Sequence, residues 1–330
     1  MKKFILSLFM VLFVLMLVGC AEKKPVNPEE PGDKPGTEEP GENPENPEDN
    51  PSDEPTISEE IKIVVPQGNP FIAVGNLIGE ENIKIDPVNG AQGVKTALVG
   101  NDYDIVIAPL NLGAQLYNKN NSVYELDSVI ALGNTYIVSK AGTKLDSLED
   151  LQGKTILAYS QNGTPDIVLR YVLGANQIEA TIEYQQSLTE VVPLFVQGSY
   201  DYILAAEPVI TNLQVKKNIE LNIIDLQDYT ENTIMQAAIF VNPNSTKQES
   251  IDLVINKIEE NIKEMNENPE VYANKIVSKD IYFEDLGKEI IAQSLPKANL
   301  AFLKAKDNKD KVETYLTMIN YELPKEDFYR

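Results

Sequence analysis

The sequence predicts an α/β fold, with mostly parallel sheets in two similar lobes joined by crossing strands. Three observations predict it. Short β-branched runs alternate with segments of helical period, the mark of repeated β-loop-α units. The series begins at Ile61 and, after strands near 129–138, starts afresh near Leu145. Setting aside the first 56 residues leaves 274, enough for about two domains or one domain of bilobed construction.

The first 56 residues differ in character. Lys2 and Lys3 precede an apolar run over 4–18 broken only by Ser7, which reads as a secretory signal over 1–19. Leu17-Val18-Gly19-Cys20 closes that run and resembles the lipobox of bacterial lipoproteins. The resemblance implies that Cys20 becomes the lipidated, palmitate-bearing first residue of the mature chain, anchored at the outer face of the plasma membrane. Two other readings stand beside it: an ordinary cleaved signal with a chance cysteine, or a membrane span, for which 15 residues fall short of the ~20 needed. Residues 21–56 hold 9 of the 20 prolines and 12 acids against 3 bases, with Ala21 and Val26 as the hydrophobic side chains. Such a stretch cannot bury a core, so 20–56 is expected to be the lipidated cysteine and a disordered, acidic, Pro-rich linker. Extended at ~3.1 Å per residue, it reaches on the order of 110 Å.

Charge and rare residues exclude whole classes of function. The chain carries −23, and residues 57–330 alone carry −16; phosphate backbones repel such a surface, so no nucleic-acid partner is expected. Cys20 is the one cysteine and histidine is absent. The folded part therefore lacks the means for a disulfide, a thiolate or imidazole metal site, or Ser-His-Asp and Cys-His catalysis. No catalytic residue, metal or cofactor is expected.

The elements follow in order. Ile61-Lys62-Ile63-Val64-Val65 reads as a strand ended by Pro66-Gln67-Gly68-Asn69-Pro70, then a helix over 71–78 and a strand at Ile83-Lys84-Ile85. Helical spacing over 91–99 stops at Gly100-Asn101, and the buried strand 104–108 runs into Pro109-Leu110-Asn111. Strands at 129–132 and 136–138 close this series. The second has a short helix over 145–151, a strand over 155–159, and a loop over 160–166 opening a helix through Tyr171, with Pro165 in its first turn and Thr164 as its N-cap. A strand at 182–184, a helix over 188–197 and a strand over 202–206 that meets Glu207-Pro208 come next. After an apolar strand over 235–241 the chain reads as almost wholly helical, with Ile251, Val254, Ile255, Ile258 and Ile262 on one face.

Several segments together resemble the substrate-binding proteins of ABC importers, in the nitrate, sulfonate, taurine and thiamine-precursor group. They are Ala97-Leu98-Val99-Gly100 with Tyr103-Asp104-Ile105-Val106-Ile107-Ala108-Pro109, Leu148-Glu149-Asp150-Leu151-Gln152-Gly153-Lys154-Thr155-Ile156, Asn162-Gly163-Thr164-Pro165-Asp166, Ala206-Glu207-Pro208, and the tail Leu323-Pro324-Lys325-Glu326-Asp327-Phe328-Tyr329. The resemblance covers 60–330 and implies the two-lobed type II periplasmic-binding fold, with lobe 1 from 57–136 plus 238–330, lobe 2 from 137–237, and crossings near Tyr136 and Met235. It also implies a small-molecule ligand, an ABC permease and ATPase as partners, and a monomer at the outer face of the membrane.

Open α/β sheets bind ligands at the carboxyl ends of their strands. The candidate contacts are therefore Gln67, Gly68, Asn69, Pro109, Leu110, Asn111, Tyr136, Gln161, Asn162, Gly163, Thr164 and Glu207. Each has a plain structural alternative. Gln67, Asn69 and Asn111 would serve as helix caps, Gly163-Thr164-Pro165 as a helix-start turn, Tyr136 as hinge filling, and Glu207 as the partner of a lysine such as Lys154. Over 64–77, 104–118, 134–139, 157–169 and 203–214 there is no Lys or Arg, whereas Asp104, Asp166 and Glu207 are present. That balance favours a neutral or cationic, polar or heterocyclic ligand, with a sulfonate- or nitrate-type oxyanion as the alternative. Two other classes compete with a binding protein: an enzyme on the same fold, and an adhesion or scaffold lipoprotein. An export signal and the lack of histidine weigh against the enzyme.

Overall fold

The computed structural model describes residues 56–330, so the expected signal, Cys20 and nearly all of the linker lie outside the described residues. The chain runs β1 (Ile61–Pro66), α1 (Asn69–Val74), β2 (Ile83–Val88), α2 (Ala91–Gly100), β3 (Ile105–Pro109), α3 (Leu110–Asn118) and β4 (Glu125–Ala131). It continues through β5 (Tyr136–Lys140), β6 (Thr155–Tyr159), α4 (Thr164–Ala175), β7 (Thr181–Gln185), α5 (Leu188–Val196), β8 (Tyr202–Ala205), α6 (Val209–Val215) and β9 (Leu221–Asp225). Then come β10 (Ala237–Val241), α7 (Gln248–Glu267), α8 (Pro269–Ile276), α9 (Ile281–Leu286), α10 (Lys288–Ser294), β11 (Leu300–Lys304) and α11 (Lys309–Met318), with a 3₁₀ turn at Leu295–Lys297.

Two sheets result. The first has the order β11-β4-β10-β3-β1-β2 and the second β7-β6-β8-β5-β9. Parallel pairing joins β2, β1 and β3 in one and β7, β6 and β8 in the other, while β10, β5 and β11 pair antiparallel with their neighbours. Four of six strands in the first sheet and four of five in the second therefore run the same way. The central strands are buried on both faces because helices cover both, which is why they read as continuous apolar runs rather than alternating ones. α7 shows the helical counterpart: Ile251, Val254, Ile255, Ile258 and Ile262 are each at most 2% exposed, and each such side chain stabilises the fold by about 1.5–3 kcal/mol.

The chain passes between sheets twice, from the end of β4 to the start of β5 and from β9 to the start of β10. Both passages touch the edge where most strands end, so the carboxyl ends of the two sheets are brought toward each other. One apolar cluster contains Val106 and Phe240 of the first sheet with Ile137 and Leu204 of the second.

Five elements differ from expectation. α6, β9 and β11 have no counterpart in the sequence reading, and β11 interrupts the stretch that reads as almost wholly helical. α1 begins at Asn69, two residues before the expected start. Gly163, not Thr164, is the N-cap of α4, and Thr164 is already its first helical residue.

Candidate functional site

Polar residues gather where the strands of the two sheets end. After β1, Gly68 adopts φ +104°, a conformation that suits glycine, and its carbonyl accepts from the amides of Phe71 and Ile72, each at 3.1 Å. This turn delivers Asn69, 3% exposed, at the start of α1. Asn69 Nδ2 donates to the Ala298 carbonyl at 3.4 Å, and Oδ1 has no partner. Gln67 is exposed; its backbone amide donates to Val88.

After β3, Pro109 and Leu110 lead directly into α3, and the Leu110 amide donates to the Gln236 carbonyl at 3.1 Å. Pro109 is the N-cap, so Asn111 is no cap. Instead its Oδ1 accepts from Thr164 Oγ1 at 2.8 Å, and its Nδ2 donates to Tyr321 Oη at 3.3 Å. Thr164 reaches this position because Ser160 and Asn162 take positive φ angles of 53° and 62°, folding the loop after β6 into a tight turn. A Cβ on Gly163 would lie 2.8 Å from the Ser160 carbonyl oxygen. The side chains of Gln161 and Asn162 face solvent and join none of these contacts; the Asn162 amide donates to Asp166 at 2.6 Å.

After β8, Glu207 is 3% exposed. Asn134, between β4 and β5, grips its backbone at both ends: the Glu207 amide donates to Oδ1 at 2.8 Å and Nδ2 donates to the Glu207 carbonyl at 2.9 Å. Glu207 Oε2 accepts from the Thr211 amide at 3.0 Å, tying the carboxylate to α6. The cation beside it is Lys297, with Nζ 4.0 Å from Oε1, and not Lys154. Burial pushes the Glu207 carboxyl above its usual range, opposed by the Thr211 hydrogen bonds and the Lys297 charge. Tyr136, 6% exposed, donates Oη to the Lys297 carbonyl at 2.7 Å. Burial holds that phenol far above its ordinary value, so it remains a neutral donor.

Asn69, Tyr136 and Glu207 thus converge on one turn, Lys297-Ala298, while Asn111 and Thr164 pair with each other across the two sheets. Asn134, Thr211, Gln236, Lys297 and Tyr321 belong to the same neighbourhood and lie outside the candidates that the sequence offers. Gln236 Oε1 joins Asn69 Oδ1 as a buried acceptor without a partner. Two acids credited to the cleft are otherwise engaged. Asp104 precedes β3 at its amino end, held by the Lys62 amide, Ser245 and Lys247, and so lies away from the carboxyl edge. Asp166 is held by Arg170, Tyr184 and the Asn162 amide. An open hollow of about 510 Å³ lies beside the passages between the sheets, lined by Asp225, Gln227, Asp228 and Glu231 among others, and it includes none of the candidate residues.

Residues 80–271 match the family described as NMT1/THI5 like. No curated protein matches. Among solved structures, an ABC transporter protein from Parabacteroides distasonis is 20% identical, with 82% of this chain and 98% of that one covered and a TM-score of 0.69. The alkanesulfonate-binding protein of Xanthomonas axonopodis pv. citri, bound to MOPS, is 14% identical over 80% and 94% at a TM-score of 0.59. The periplasmic aliphatic sulphonate binding protein of Escherichia coli is 12% identical over 80% and 89% at 0.60. At these identities the likeness is one of fold: the chain has the periplasmic-binding architecture.

Proposed function

The chain belongs to the NMT1/THI5-like family, and from that premise we propose that it is an extracytoplasmic solute-binding lipoprotein serving an ABC importer. The single observation that carries this reading is the meeting of polar side chains from the carboxyl ends of both sheets, with Thr164 on Asn111 and Glu207 beside Lys297. Strand ends facing each other across a passage of two chain segments form a cleft that rotation about those segments opens and closes. The two halves, 57–136 with 238–330 and 137–237, act as its lobes. Cys20 anchors the protein as a lipid-bearing residue at the outer membrane face, and the linker gives the monomeric binding domain reach toward permease and ATPase. Catalysis is not part of the reading, because the chain has no histidine and its one cysteine is Cys20.

The ligand is a small, neutral, polar molecule that brings hydrogen-bond donors, such as a ring amine or amide. Asn69 Oδ1 and Gln236 Oε1 are acceptors without donors, and a buried acceptor left unmatched costs about 1–3 kcal/mol. With Asp104 at the opposite edge and held by Lys247, Asp166 paired to Arg170 and Glu207 beside Lys297, none of these three acids is free to pair with a cation, which favours neutral over cationic. A sulfonate is the second reading, favoured by Lys297 as a half-exposed cation at this edge. A thermal-shift screen of the purified protein against pyrimidines, neutral amides, amines and sulfonates separates these, since a ligand at 100 times its dissociation constant adds ~2.7 kcal/mol. Stabilisation by sulfonates alone would replace the first reading with the second, and none by any class would remove the binding role.

A further inference from the structure

One hydroxyl hydrogen is left over where the two sheets meet. Asn111 and Thr164 are both buried, and Asn111 stands between two hydroxyls: its Oδ1 accepts from Thr164 Oγ1 at 2.8 Å and its Nδ2 donates to Tyr321 Oη at 3.3 Å. A carboxamide has one acceptor end and one donor end. One hydroxyl therefore donates to it, while the other accepts from it and keeps its own hydrogen. The shorter contact has the length of an O–H···O bond and the longer that of a stretched N–H···O bond. The spare hydrogen is thus that of the half-buried Tyr321, and among the described residues nothing accepts it.

The segment that brings Tyr321 to the site is fastened along its length. Asn320 turns the chain after α11 with a φ of 59°, the Tyr321 amide donates to the Leu316 carbonyl at 2.8 Å, and Asn118 Nδ2 of α3 donates to the Glu322 carbonyl at 2.9 Å. Farther on, Phe328 is buried against Tyr117 of α3 and Phe240 of β10. The phenol is therefore held against the helix that carries Asn111, and offering it to a ligand costs little further ordering. Tyr315, on α11, is fully buried with its Oη unpartnered. Burial, with Tyr321 a lesser cause, holds that phenol far above its ordinary value, so it is a second neutral donor on this segment.

The unmatched acceptors at this edge are Asn69 Oδ1 and Gln236 Oε1. Gln236 is a neighbour of Asn111, since its carbonyl accepts from the Leu110 amide at 3.1 Å. A ligand with donors alone matches these acceptors and leaves the Tyr321 hydrogen unanswered. One that carries a carbonyl next to an N–H matches both.

We propose that Tyr321 is a specificity-determining residue of the cleft, donating to a carbonyl oxygen of the ligand, which narrows the ligand class from ring amines and amides to amides and lactams. This rests on the reading of the chain as a solute-binding protein.

Titration calorimetry of the full chain with oxo and thio probe pairs tests it: uracil with 2-thiouracil, 2-pyridone with 2-thiopyridone, and nicotinamide with thionicotinamide. Each pair keeps its shape and its N–H groups and exchanges one carbonyl oxygen for sulfur, a weak acceptor. The wild type is expected to bind the oxo member of at least one pair about fivefold to tenfold more tightly, the worth of one neutral hydrogen bond. Tyr321→Phe is expected to bring that ratio to within about twofold. A substitution that only loosened the site would weaken both members alike and leave the ratio standing. Should Tyr321→Phe fail to fold, Asn111→Asp decides, because its carboxylate captures the Tyr321 hydrogen and is expected to erase the ratio as well. The inference falls, with the binding reading intact, if the wild type binds both members of every pair alike, if the ratio survives these substitutions, or if carbonyl-free amines or sulfonates alone bind. If no probe of any class binds, the binding reading fails and this inference with it.

Discussion

Arg170 grips Asp166 one helical turn away on α4, with Nε donating to Oδ1 at 3.1 Å and Nη2 to Oδ2 at 3.0 Å. The Asp166 side chain is fully buried while Arg170 is 49% exposed. A charge that counts against anions in the linear sequence is thereby neutralised within its own helix. The pair also shapes the site, because Asp166 accepts from the Asn162 amide and so holds the turn that presents Thr164.

Removing the guanidinium leaves Asp166 with Tyr184 and one amide. Arg170→Met is expected to cost about 1–3 kcal/mol, the range for losing hydrogen bonds to a charged group, and less than for a fully buried pair because Arg170 is half exposed. Urea unfolding of the full chain measures it. A change below about 0.5 kcal/mol would mean that Tyr184 and the amide suffice alone.

Close packing under α3 makes a second prediction. A Cβ on Gly113 would lie 2.1 Å from Phe240 Cζ and 2.3 Å from Cε1. Phe240 also touches Phe328, with ring centroids 6.1 Å apart, so it has little room to yield. Gly113→Ala should destabilise by about 1–3 kcal/mol, as overpacking does, and should push α3, with Asn111, away from Thr164. An unchanged melting temperature would show that α3 shifts without loss.

Why some of this was legible in the sequence, and some not, follows from where each residue's partners lie. β1, β3, β6 and β8 are buried on both faces, so their apolar runs announced them. β9 and β11 are edge strands with half-buried, mixed sequences, Leu221-Asn222-Ile223-Ile224-Asp225 and Leu300-Ala301-Phe302-Leu303-Lys304, and carry no comparable signal. Glu207 and Asn111 stood out because a polar residue just past a buried strand needs a partner. Lys297 did not, because it lies 161 residues from Tyr136 in a stretch that reads as helix. Thr164 reads as a cap because its sequence context is that of one; its hydroxyl instead bridges from the second sheet to Asn111 of the first.

The proposed anchoring falls on Cys20, which lies outside the described residues. With no other cysteine in the chain, Cys20→Ser is expected to release the protein into the medium or leave an unprocessed precursor. Metabolic labelling with a fatty-acid analogue followed by membrane fractionation reads the result. A variant that stays labelled and membrane-bound would refute the lipoprotein reading.

The pH dependence of stability isolates the cost of burying Glu207. Burial is the largest influence on its carboxyl and raises it above the unfolded value, against the opposing pull of Thr211 and Lys297. A carboxyl raised on folding favours the folded state when protonated. Its contribution is therefore fully present below the unfolded value, about 4.3, and is lost as pH rises through the higher folded value. Glu207→Gln cannot ionise, and its amide oxygen can still accept from Thr211. The stability of wild type minus Glu207→Gln, from urea melts between about pH 4 and 7.5, should thus fall with rising pH and level off once the carboxyl is ionised in both states. In a Lys297→Met background the fall should be larger, because the opposing charge is gone. A difference that instead grows with pH would mean that Thr211 and Lys297 outweigh burial and that Glu207 is chiefly a stabilising ion-pair partner.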